Sequence, residues 1–463
     1  MTPPPVTARD AALEALRRAE RGDTYLPDHL HAVLAESDLD ARDCALATQL
    51  AAGVVRHRRT LRLLLSHLRG GKGRTRTIQP TLLRILELGA FQLLLLDRVP
   101  AYAAVNEAVE AARATAPPGR GRKVAGFVNG MLRNLERLVV GHEPASRPDR
   151  DAVPHPDGGV VRLAEPVLPD PAGGRAAFLG AAYSYPDWLV LRWLQAYGEE
   201  EVEAVCRWQN RRPHVFARVN PRRDAAEAML QTLGAEAAGV APGPRPGLLD
   251  VSALPADRLQ RLAEAGEVTV QDPSAMAAVE ALAPRAGESV LDLCASPGTK
   301  TTQIAEAMGE EGLLVASDKR EEKLQTLRRT VAAHGLRTVT VSLADEVAPH
   351  APEGGFDAAL VDAPCSNTGV LARRVEARWR LRPEDVADLA ALQRRLLEQA
   401  AALVRPGGRL VYSTCSLLPE ENDGLLASFL EGRRGWHLAD RRLILPGPDH
   451  DGAFWALLRR ERQ

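Results

Sequence analysis

LDLCASPGTKT, from Leu291 to Thr301, is the stretch that decides the fold of the second half of the chain. Its pattern predicts a short apolar strand, a tight turn of small residues and the start of a helix. Such a turn lets a ligand approach the backbone, and the helix start offers unpaired N–H groups. The spacing matches neither G-x-G-x-x-G nor a P-loop, so a dinucleotide pyrophosphate is not the natural ligand.

Strands alternate with helices on both sides of this stretch, after Pro273. The β-rich runs are SVLDLCA, LLVASD, TVTVSLAD, FDAALVDAPC and RLVYSTCS, and helical stretches such as TKTTQIAEAM lie between the earlier ones. This alternation predicts an α/β, Rossmann-like domain over residues 266–463, with a parallel doubly wound sheet and a ligand at the carboxyl ends of its strands. The chemically interesting residues fall at those ends: Cys294, Asp318, Asp345, Asp362, Cys365 and Cys415.

Acidic residues on successive strand ends indicate the kind of ligand. Asp318 ends the strand after the turn, where a carboxylate can accept both hydroxyls of a ribose, and Asp345 ends the third strand. Either aspartate alone could be a helix cap. Together with the turn they favour an adenosine ligand without phosphates, and S-adenosylmethionine is such a ligand.

Two of the five cysteines follow strands at the ligand edge, in VDAPCSNTGV (Val361–Val370) and VYSTCS (Val411–Ser416). The residues alone leave the roles of Cys365 and Cys415 interchangeable. Cys44 and Cys206 lie in apolar helical contexts that predict packing. The cysteines are odd in number, widely spread and without C-x-x-C, which argues against a disulfide framework and a structural zinc site and for a reducing cytoplasm. The eleven histidines form no cluster, so we expect no metal.

The preceding parts of the chain predict two smaller domains. Residues 1–140 have the apolar period of helices throughout, with TLLRILELGAFQLLLL (Thr81–Leu96) as a buried central helix. Residues 141–175 begin with a stretch rich in Pro, Gly and Asp, and we interpret the segment as a linker. Residues 176–265 mix helical stretches with short strand-like pieces, which predicts a small α+β domain that binds RNA or connects its neighbours.

Positive charge is segregated although the net charge is only −1. Nine basic residues and no acid lie between Arg56 and Leu86, and six arginines with Trp208 and Phe216 lie between Val205 and Arg223. Such clusters suit a polyanion, although one cluster alone could be a solvated surface in an arginine-rich chain. No apolar run is long enough for a membrane span and the N-terminus lacks a secretory pattern, so we expect a cytoplasmic protein without membrane contact.

Four ordered motifs resemble a known family: QDPSAM, LDLCASPGTKT, VDAPCSNTGV and VYSTCS are similar to those of the RNA cytosine-C5 methyltransferases of the Sun/NOL family. ILELGAFQLL, VPAYAAVNEAVE and GFVNGMLRNL resemble the NusB-type RNA-binding fold. The combination is typical of the bacterial 16S rRNA enzymes of that family. The resemblance implies action on a cytosine of 16S rRNA. The sequence leaves open whether naked RNA or a partly assembled small ribosomal subunit is the substrate, and we expect a monomer.

The resemblance also implies roles for individual residues. Cys415 would be the nucleophile, Cys365 would help to release the adduct, and Asp362 would hold N3 of the cytosine. S-adenosylmethionine would be bound by the turn and the three aspartates: Cys294, Ala295, Ser296, Pro297, Gly298, Thr299, Lys300, Asp318, Asp345 and Asp362. The family's A-A-P-G-G-K is A-S-P-G-T-K here, and Thr299 adds bulk beside the methionine moiety. Contacts to RNA are expected from Arg207, Arg211, Arg212, Arg218, Asn220 and Arg373.

Two other functional classes remain open to the residues. A non-catalytic RNA-binding or antitermination factor would need only the N-terminal part, but it leaves the cofactor turn and both strand-end cysteines unexplained. A DNA cytosine methyltransferase has its nucleophile directly after a proline. In this chain that position is Cys365, after Pro364, and Cys415 would then not be the nucleophile.

Overall fold

The computed structural model describes residues 7–20, 24–70, 78–144 and 146–462 and divides into two compact units. The first unit contains residues up to Arg212 together with Arg374–Arg380, and the second contains Pro213–Arg373 and Leu381 onwards. The boundary therefore lies inside the predicted 176–265 domain. Within the described ranges, no helix is both long and apolar enough to cross a membrane.

The first unit begins with an all-helical domain, as predicted. The central helix α5 is buried on nearly all sides, with Ile85, Leu88 and Phe91 among its buried residues, as its apolar sequence predicts. The last helix of the domain, α7, buries the stripe Val128, Met131, Leu132 and Leu135. The helices are α1 (Ala8–Ala19), α2 (Leu26–Ala35), α3 (Ala41–Arg56), α4 (Arg58–Leu68), α5 (Pro80–Leu95), α6 (Ala101–Ala114) and α7 (Gly121–Leu138).

The segment interpreted as a linker is folded, which corrects that expectation. It forms a three-stranded antiparallel sheet of β1 (Val139–Glu143), β3 (Val160–Leu163) and β2 (Ala152–Pro154), in that order. The strands are too short to show a period, but β2 and β3 bury Val153, Val160 and Val161. Three further helices belong to the first unit: α8 (Arg175–Tyr183), α9 (Asp187–Tyr197) and α10 (Glu199–Trp208).

Residues 374–380 belong to the first unit although they follow the Cys365 loop in sequence. Arg378 is fully buried, donates to Asn210 Oδ1 at 2.8 Å and stacks over the Tyr185 ring at 4.3 Å. The Glu376 carboxylate accepts the backbone N–H of Leu26 at 2.6 Å. These contacts fix the segment by pairings that are remote in sequence.

The second unit starts with the small α+β domain, as predicted. Its antiparallel sheet has the order β5 (Ala241–Pro242), β6 (Leu248–Asp250), β4 (Phe216–Val219) and β7 (Val268–Val270). Two helices pack on it, α11 (Ala226–Glu236) and α12 (Ala256–Glu264), through Met229, Leu233 and Leu262.

The remaining sheet has seven strands and carries all the predicted strand-end residues. Its strands are β8 (Ser289–Leu293), β9 (Leu313–Asp318), β10 (Val339–Leu343), β11 (Phe356–Asp362), β12 (Val404–Thr414), β13 (Trp436–Ile444) and β14 (Ala453–Arg460). The order is β10-β9-β8-β11-β12-β14-β13. The five strands β10, β9, β8, β11 and β12 are parallel, as predicted. Strands β14 and β13 add an antiparallel hairpin at the edge, so the whole sheet is mixed.

Helices cover both faces of this sheet. They are α13 (Pro273–Leu282), α14 (Thr299–Ala307), α15 (Glu321–Ala333), α17 (Pro383–Leu403) and α18 (Asp423–Leu430), whereas the short α16 (Ala377–Arg380) belongs to the first unit. One core cluster joins Leu293, Val361 and Tyr412 to α17 and α18, and another joins Val290 and Leu360 to α13 and α14. Strands buried on both sides have their variable residues at their ends, which is where the site lies.

Candidate active site

The turn after β8 has the backbone shape that its small residues suggest. Cys294 has φ +66° and Gly298 has φ +108°, and the Ala295 N–H donates to the Ser317 carbonyl of β9 at 2.8 Å. A Cβ on Gly298 would lie 3.0 Å from Leu327 and Thr330 side-chain atoms, so both conformation and space require glycine there. Helix α14 then begins at Thr299, in the position expected for a ligand turn.

The predicted acids lie at the ends of three strands. Asp318 is buried at the end of β9, where its Oδ1 accepts the Lys319 N–H at 2.8 Å. Asp362 ends β11 and accepts a hydrogen bond from Lys300 Nζ at 2.6 Å. Burial lowers the pKa of Lys300, but the charge and hydrogen bond of Asp362 outweigh burial and leave that pKa above its usual value. Asp345 is exposed on the 3-10 turn Ala344–Glu346, one turn beyond the end of β10.

Asp292 is a site residue that the sequence analysis did not identify. It lies fully buried inside β8, and Thr301 Oγ1 donates to its Oδ2 at 2.6 Å. The pKa of Asp292 is raised to about 7, mainly by burial and also by the negative charges of Asp362 and Asp318. The hydrogen bond from Thr301 and the positive charge of Lys300 lower it. An acid in the middle of an otherwise apolar strand was a signal that could have revealed it.

These residues fit S-adenosylmethionine. The Oδ1 atom of Asp292 is buried and has no hydrogen-bond partner within the described part of the chain, so a polar acceptor at this edge is left for a ligand. Three carboxylates and one lysine also suit a ligand whose sulfonium and amino groups are positive. Asp318 would hold the ribose hydroxyls, and the 294–300 turn would approach the ligand with its backbone.

Cys365 and Cys415 come together at the ends of the adjacent strands β11 and β12. Their Sγ atoms lie 3.3 Å apart. Asn367 contacts both loops, because its Nδ2 donates to the Cys365 carbonyl at 2.9 Å while its Oδ1 lies 3.5 Å from Cys415 Sγ. Both thiols are partly exposed, so a substrate can reach them.

The surroundings of two cysteines near the site raise the pKa values of their thiols. A hydrogen bond with Cys415, burial, and the charges of Cys415 and Glu421 raise the pKa of the Cys365 thiol well above its ordinary value. Burial, with Asp318 and Asp362, raises the pKa of the Cys294 thiol to about 12. Cys294 therefore stays a neutral thiol, which agrees with a contact to the ligand through its backbone.

The structure contradicts the RNA contacts expected of Arg218 and Asn220. Arg218 is 5% exposed, forms an ion pair with Glu306 and donates to Gln271 Oε1 at 2.8 Å, so its charge is compensated inside the protein. Asn220 is 2% exposed and its amide donates to the Gly266 carbonyl at 2.8 Å. Both side chains hold the fold together.

Arg373 also has internal partners, since it donates to Asp451 and, at 2.9 Å, to Asp272. Burial of Asp451 raises the pKa of that carboxyl to about 6, against the effect of Arg373. The arginine thus ties the end of the Cys365 loop to two acids of the same unit. Its side chain is still partly exposed, and its contact with RNA stays a prediction.

Among the other predicted arginines, exposure separates two groups. Arg207 and Arg212 are exposed, whereas Arg211 is half-buried and stacks on the Trp208 ring at 4.4 Å. In the Arg56–Leu86 cluster, Arg59, Arg62 and Arg84 pair with Asp187, Glu87 and Glu20 respectively. Lys72, Arg74 and Arg76 of that cluster lie outside the described residues.

Among the described residues, Asp97, His155 and Asp157 form a group that could offer metal ligands, with their ligand atoms within 4.8 Å of one another. His155 Nδ1 accepts the Asp157 backbone N–H at 3.3 Å, which places the proton of the neutral ring on Nε2, 3.8 Å from Asp97 Oδ1. The ring has no lone pair left for a metal in this arrangement, and we assign none.

Comparison with known proteins identifies the family of each part of the chain. Residues 279–450 match the model of the 16S rRNA methyltransferase RsmB/F family, residues 6–137 the NusB family, and residues 185–247 the ferredoxin-like domain of RsmF/B-like methyltransferases. A probable ribosomal RNA small subunit methyltransferase B of Synechocystis sp. is 35% identical over 93% of this chain and 90% of its own. The ribosomal RNA small subunit methyltransferase B of Salmonella arizonae is 35% identical over 90% of each chain.

Two solved structures share the fold. The crystal structure of PH0851 has a TM-score of 0.74 at 24% identity and covers 99% of both chains. NSun6 from Pyrococcus horikoshii, solved with SFG, has a TM-score of 0.53 at 20% identity over 61% of this chain and all of its own.

The fold and the site define an S-adenosylmethionine-dependent methyltransferase. The similarity over nine-tenths of the chain specifies it further: the chain belongs to the RsmB/F family of 16S rRNA methyltransferases.

Proposed function

We propose that this protein transfers a methyl group from S-adenosylmethionine to carbon 5 of a cytosine in 16S rRNA, through a covalent bond between Cys415 and C6 of that base. The observation that supports it most directly is the pair of thiols 3.3 Å apart, beside the Lys300–Asp362 ion pair at the same sheet edge. One thiol can attack while the other stays in reach of the same ring.

The attack overcomes the low nucleophilicity of C5. The Cys415 thiolate forms a bond to C6, and the electron pair of the C5–C6 double bond becomes available at C5 for the methyl group. Bound S-adenosylmethionine supplies that methyl group as an electrophile. Lys300, which donates to the Asp362 carboxylate at 2.6 Å, holds that carboxylate in place and can supply the proton that Asp362 would share with N3, and this proton would neutralise charge that builds on the ring.

Release needs a base for the C5 proton, and Cys365 is placed to act as one. Its pKa is raised first of all by Cys415. Once Cys415 is a thioether, its negative charge is gone, so the pKa of Cys365 falls and its thiol can release its proton to solvent. The resulting Cys365 thiolate then accepts the C5 proton. The C5–H electrons then restore the C5–C6 double bond, the C6–S bond breaks, and its electron pair returns to Cys415 as thiolate.

In the alternative mechanism Cys365 is the nucleophile, because it follows Pro364 as the nucleophile of DNA cytosine methyltransferases follows a proline. A nucleophile must be a thiolate, and before any adduct forms the surroundings of Cys365 disfavour its thiolate. Because the first cause of that raised pKa is Cys415 itself, whose Sγ lies 3.3 Å away, the pKa does not separate the two roles. The choice of Cys415 as the attacking group rests on the resemblance of VYSTCS to the family's motif.

Methylation mapping tests the proposal. 16S rRNA from a strain lacking the gene is incubated with the purified protein and S-adenosylmethionine, as naked RNA and within small-subunit particles, and is then sequenced after bisulfite treatment. We expect one cytosine to become protected from conversion by the wild type and by the control variant Cys44→Ala, and not by Cys415→Ala. Methylation at a position other than C5, or methylation by Cys415→Ala, would refute the proposal.

A further inference from the structure

Glu421 lies between the two cysteine loops and bonds to both. It ends the 3-10 turn Pro419–Glu421 and its side chain is fully buried. Its Oε1 accepts the backbone N–H of Ser366 at 2.9 Å, and its Oε2 accepts the hydroxyl of Ser416. Ser366 directly follows Cys365 and Ser416 directly follows Cys415, so one carboxylate joins the residues next to both thiols.

Neighbouring side chains complete this connection. Gln393 of α17 is fully buried, and its Nε2 donates to Glu421 Oε1 at 2.8 Å and to the Pro364 carbonyl at 2.9 Å. Asn422 accepts from Thr414 Oγ1 at 2.7 Å and donates to the Ser416 carbonyl at 2.8 Å. The residues on each side of both cysteines are therefore held by a short buried network.

We propose that Glu421 is a positioning residue of the methyl transfer, which holds the Cys365 and Cys415 loops in the register that keeps both thiols on one base. The inference rests on the proposed function, because it assigns Glu421 a role only through the two cysteines. A buried carboxylate suits this role, since it accepts several hydrogen bonds at once and costs stability if any of them is lost.

The charge of Glu421 has a second consequence for Cys365. The ionisable groups that face Cys365 are Cys415, Glu421 and Tyr412, and the negative charge of Glu421 adds to the raised pKa of the Cys365 thiol. Removing that charge while keeping the shape should make the Cys365 thiolate form at lower pH. A purely structural role would not move this titration.

Steady-state kinetics with three variants test the positioning role. Glu421→Ala removes the acceptor, Glu421→Gln keeps an acceptor for Ser366 and Gln393, and Glu420→Ala changes an exposed neighbour as the control. A displacement of about 1 Å can cost roughly a hundredfold in rate. We expect kcat to fall about a hundredfold in Glu421→Ala and less than about tenfold in Glu421→Gln, with the KM for RNA changed less than about threefold. A wild-type kcat in Glu421→Ala, or a loss confined to KM, would overturn the proposal.

Alkylation by iodoacetamide, followed at each cysteine by mass spectrometry across pH, gives the second measurement. The midpoint for Cys365 should lie at lower pH in Glu421→Gln than in the wild type and in Glu420→Ala. This comparison decides the matter even if Glu421→Ala does not fold, and an unchanged midpoint counts against the proposal.

The two proposals fail in different ways. The covalent chemistry fails if no bond between RNA and Cys415 forms, either in the wild-type protein or in the Glu421 variants. The positioning role fails if the protein forms that link but the kcat of Glu421→Ala, or the Cys365 midpoint of Glu421→Gln, stays at its wild-type value.

Discussion

The sequence predicts a functional role both for the sheet edge that carries Cys365 and Cys415 and for the arginine-rich segment 205–223. In the structure, the predicted residues of these two regions differ in exposure. At the edge, Cys365 and Cys415 remain partly exposed and lie together. In the segment, Arg218 and Asn220 are buried and satisfied inside the protein, while Arg207 and Arg212 remain exposed. A motif with a fixed place at a strand end therefore predicted which side chains lie together and exposed better than a count of charges did. Four measurements test this contrast, in order of expected effect.

The largest effect is expected from replacing each of the two cysteines, one at a time, by alanine. Cys415→Ala should abolish methylation and form no covalent complex, because no thiolate reaches C6. Cys365→Ala should attack and transfer the methyl group but stall before release, so an RNA–protein band should survive denaturing electrophoresis.

Cys44→Ala is the matched control for a cysteine outside the site and should behave as the wild type does. The opposite pattern, with a trapped complex in Cys415→Ala and none in Cys365→Ala, would reverse the two roles.

The next effect is on stability and concerns Arg218. Arg218→Met removes the donor from the largely buried Glu306 and the buried Gln271, and breaking a buried ion pair costs about 3–5 kcal/mol. The free energy of unfolding from urea titration should fall by that amount. Arg222→Met, which removes a more exposed pair with Glu310 at 3.3 Å, should cost less than about 1 kcal/mol. Equal losses in the two variants would mean that Arg218 contributes no more to the free energy of unfolding than the more exposed Arg222 does.

A smaller effect is expected on cofactor binding. Asp318→Ala removes a buried carboxylate that would accept the ribose hydroxyls, and a hydrogen bond to a charged group is worth about 1.5–3 kcal/mol. The affinity for S-adenosylmethionine should fall about tenfold to a hundredfold in calorimetric titration. Asp345→Ala changes an exposed acid and should have a weaker effect. Wild-type affinity in Asp318→Ala would remove Asp318 from the site.

The smallest effect concerns the exposed arginines. Each phosphate contact contributes about 0.7 to the slope of log affinity against log salt for single-stranded RNA. Replacing Arg207 and Arg212 by alanine should therefore flatten the slope by about 1.4. Replacing the exposed Arg285 and Arg329, as a control with the same charge change, should leave it unchanged. Equal slopes in all three proteins would mean that Arg207 and Arg212 contact solvent alone.

Much of the fold could be predicted because its signals are local. The five parallel strands were found from short apolar runs, and the all-helical domain from a period that α5 and α7 show clearly. The β13–β14 hairpin was missed because its exposed outer strand, Trp436–Ile444, has little apolar alternation. The β1–β3 sheet was missed because its strands have three to five residues, within a segment dominated by turn-forming residues.

The sequence by itself determined the class of fold, the ligand turn and the two strand-end cysteines, because spacing along one strand or one turn controls those features. Only the tertiary structure decided which charges are compensated, since Arg218 meets Glu306 across 88 residues and Leu26 meets Glu376 across 350. It also identified Asp292 and Glu421, whose importance lies in burial and hydrogen bonding. Burial is a property of the packed chain, because an acid becomes a buried anchor only when distant segments close over it.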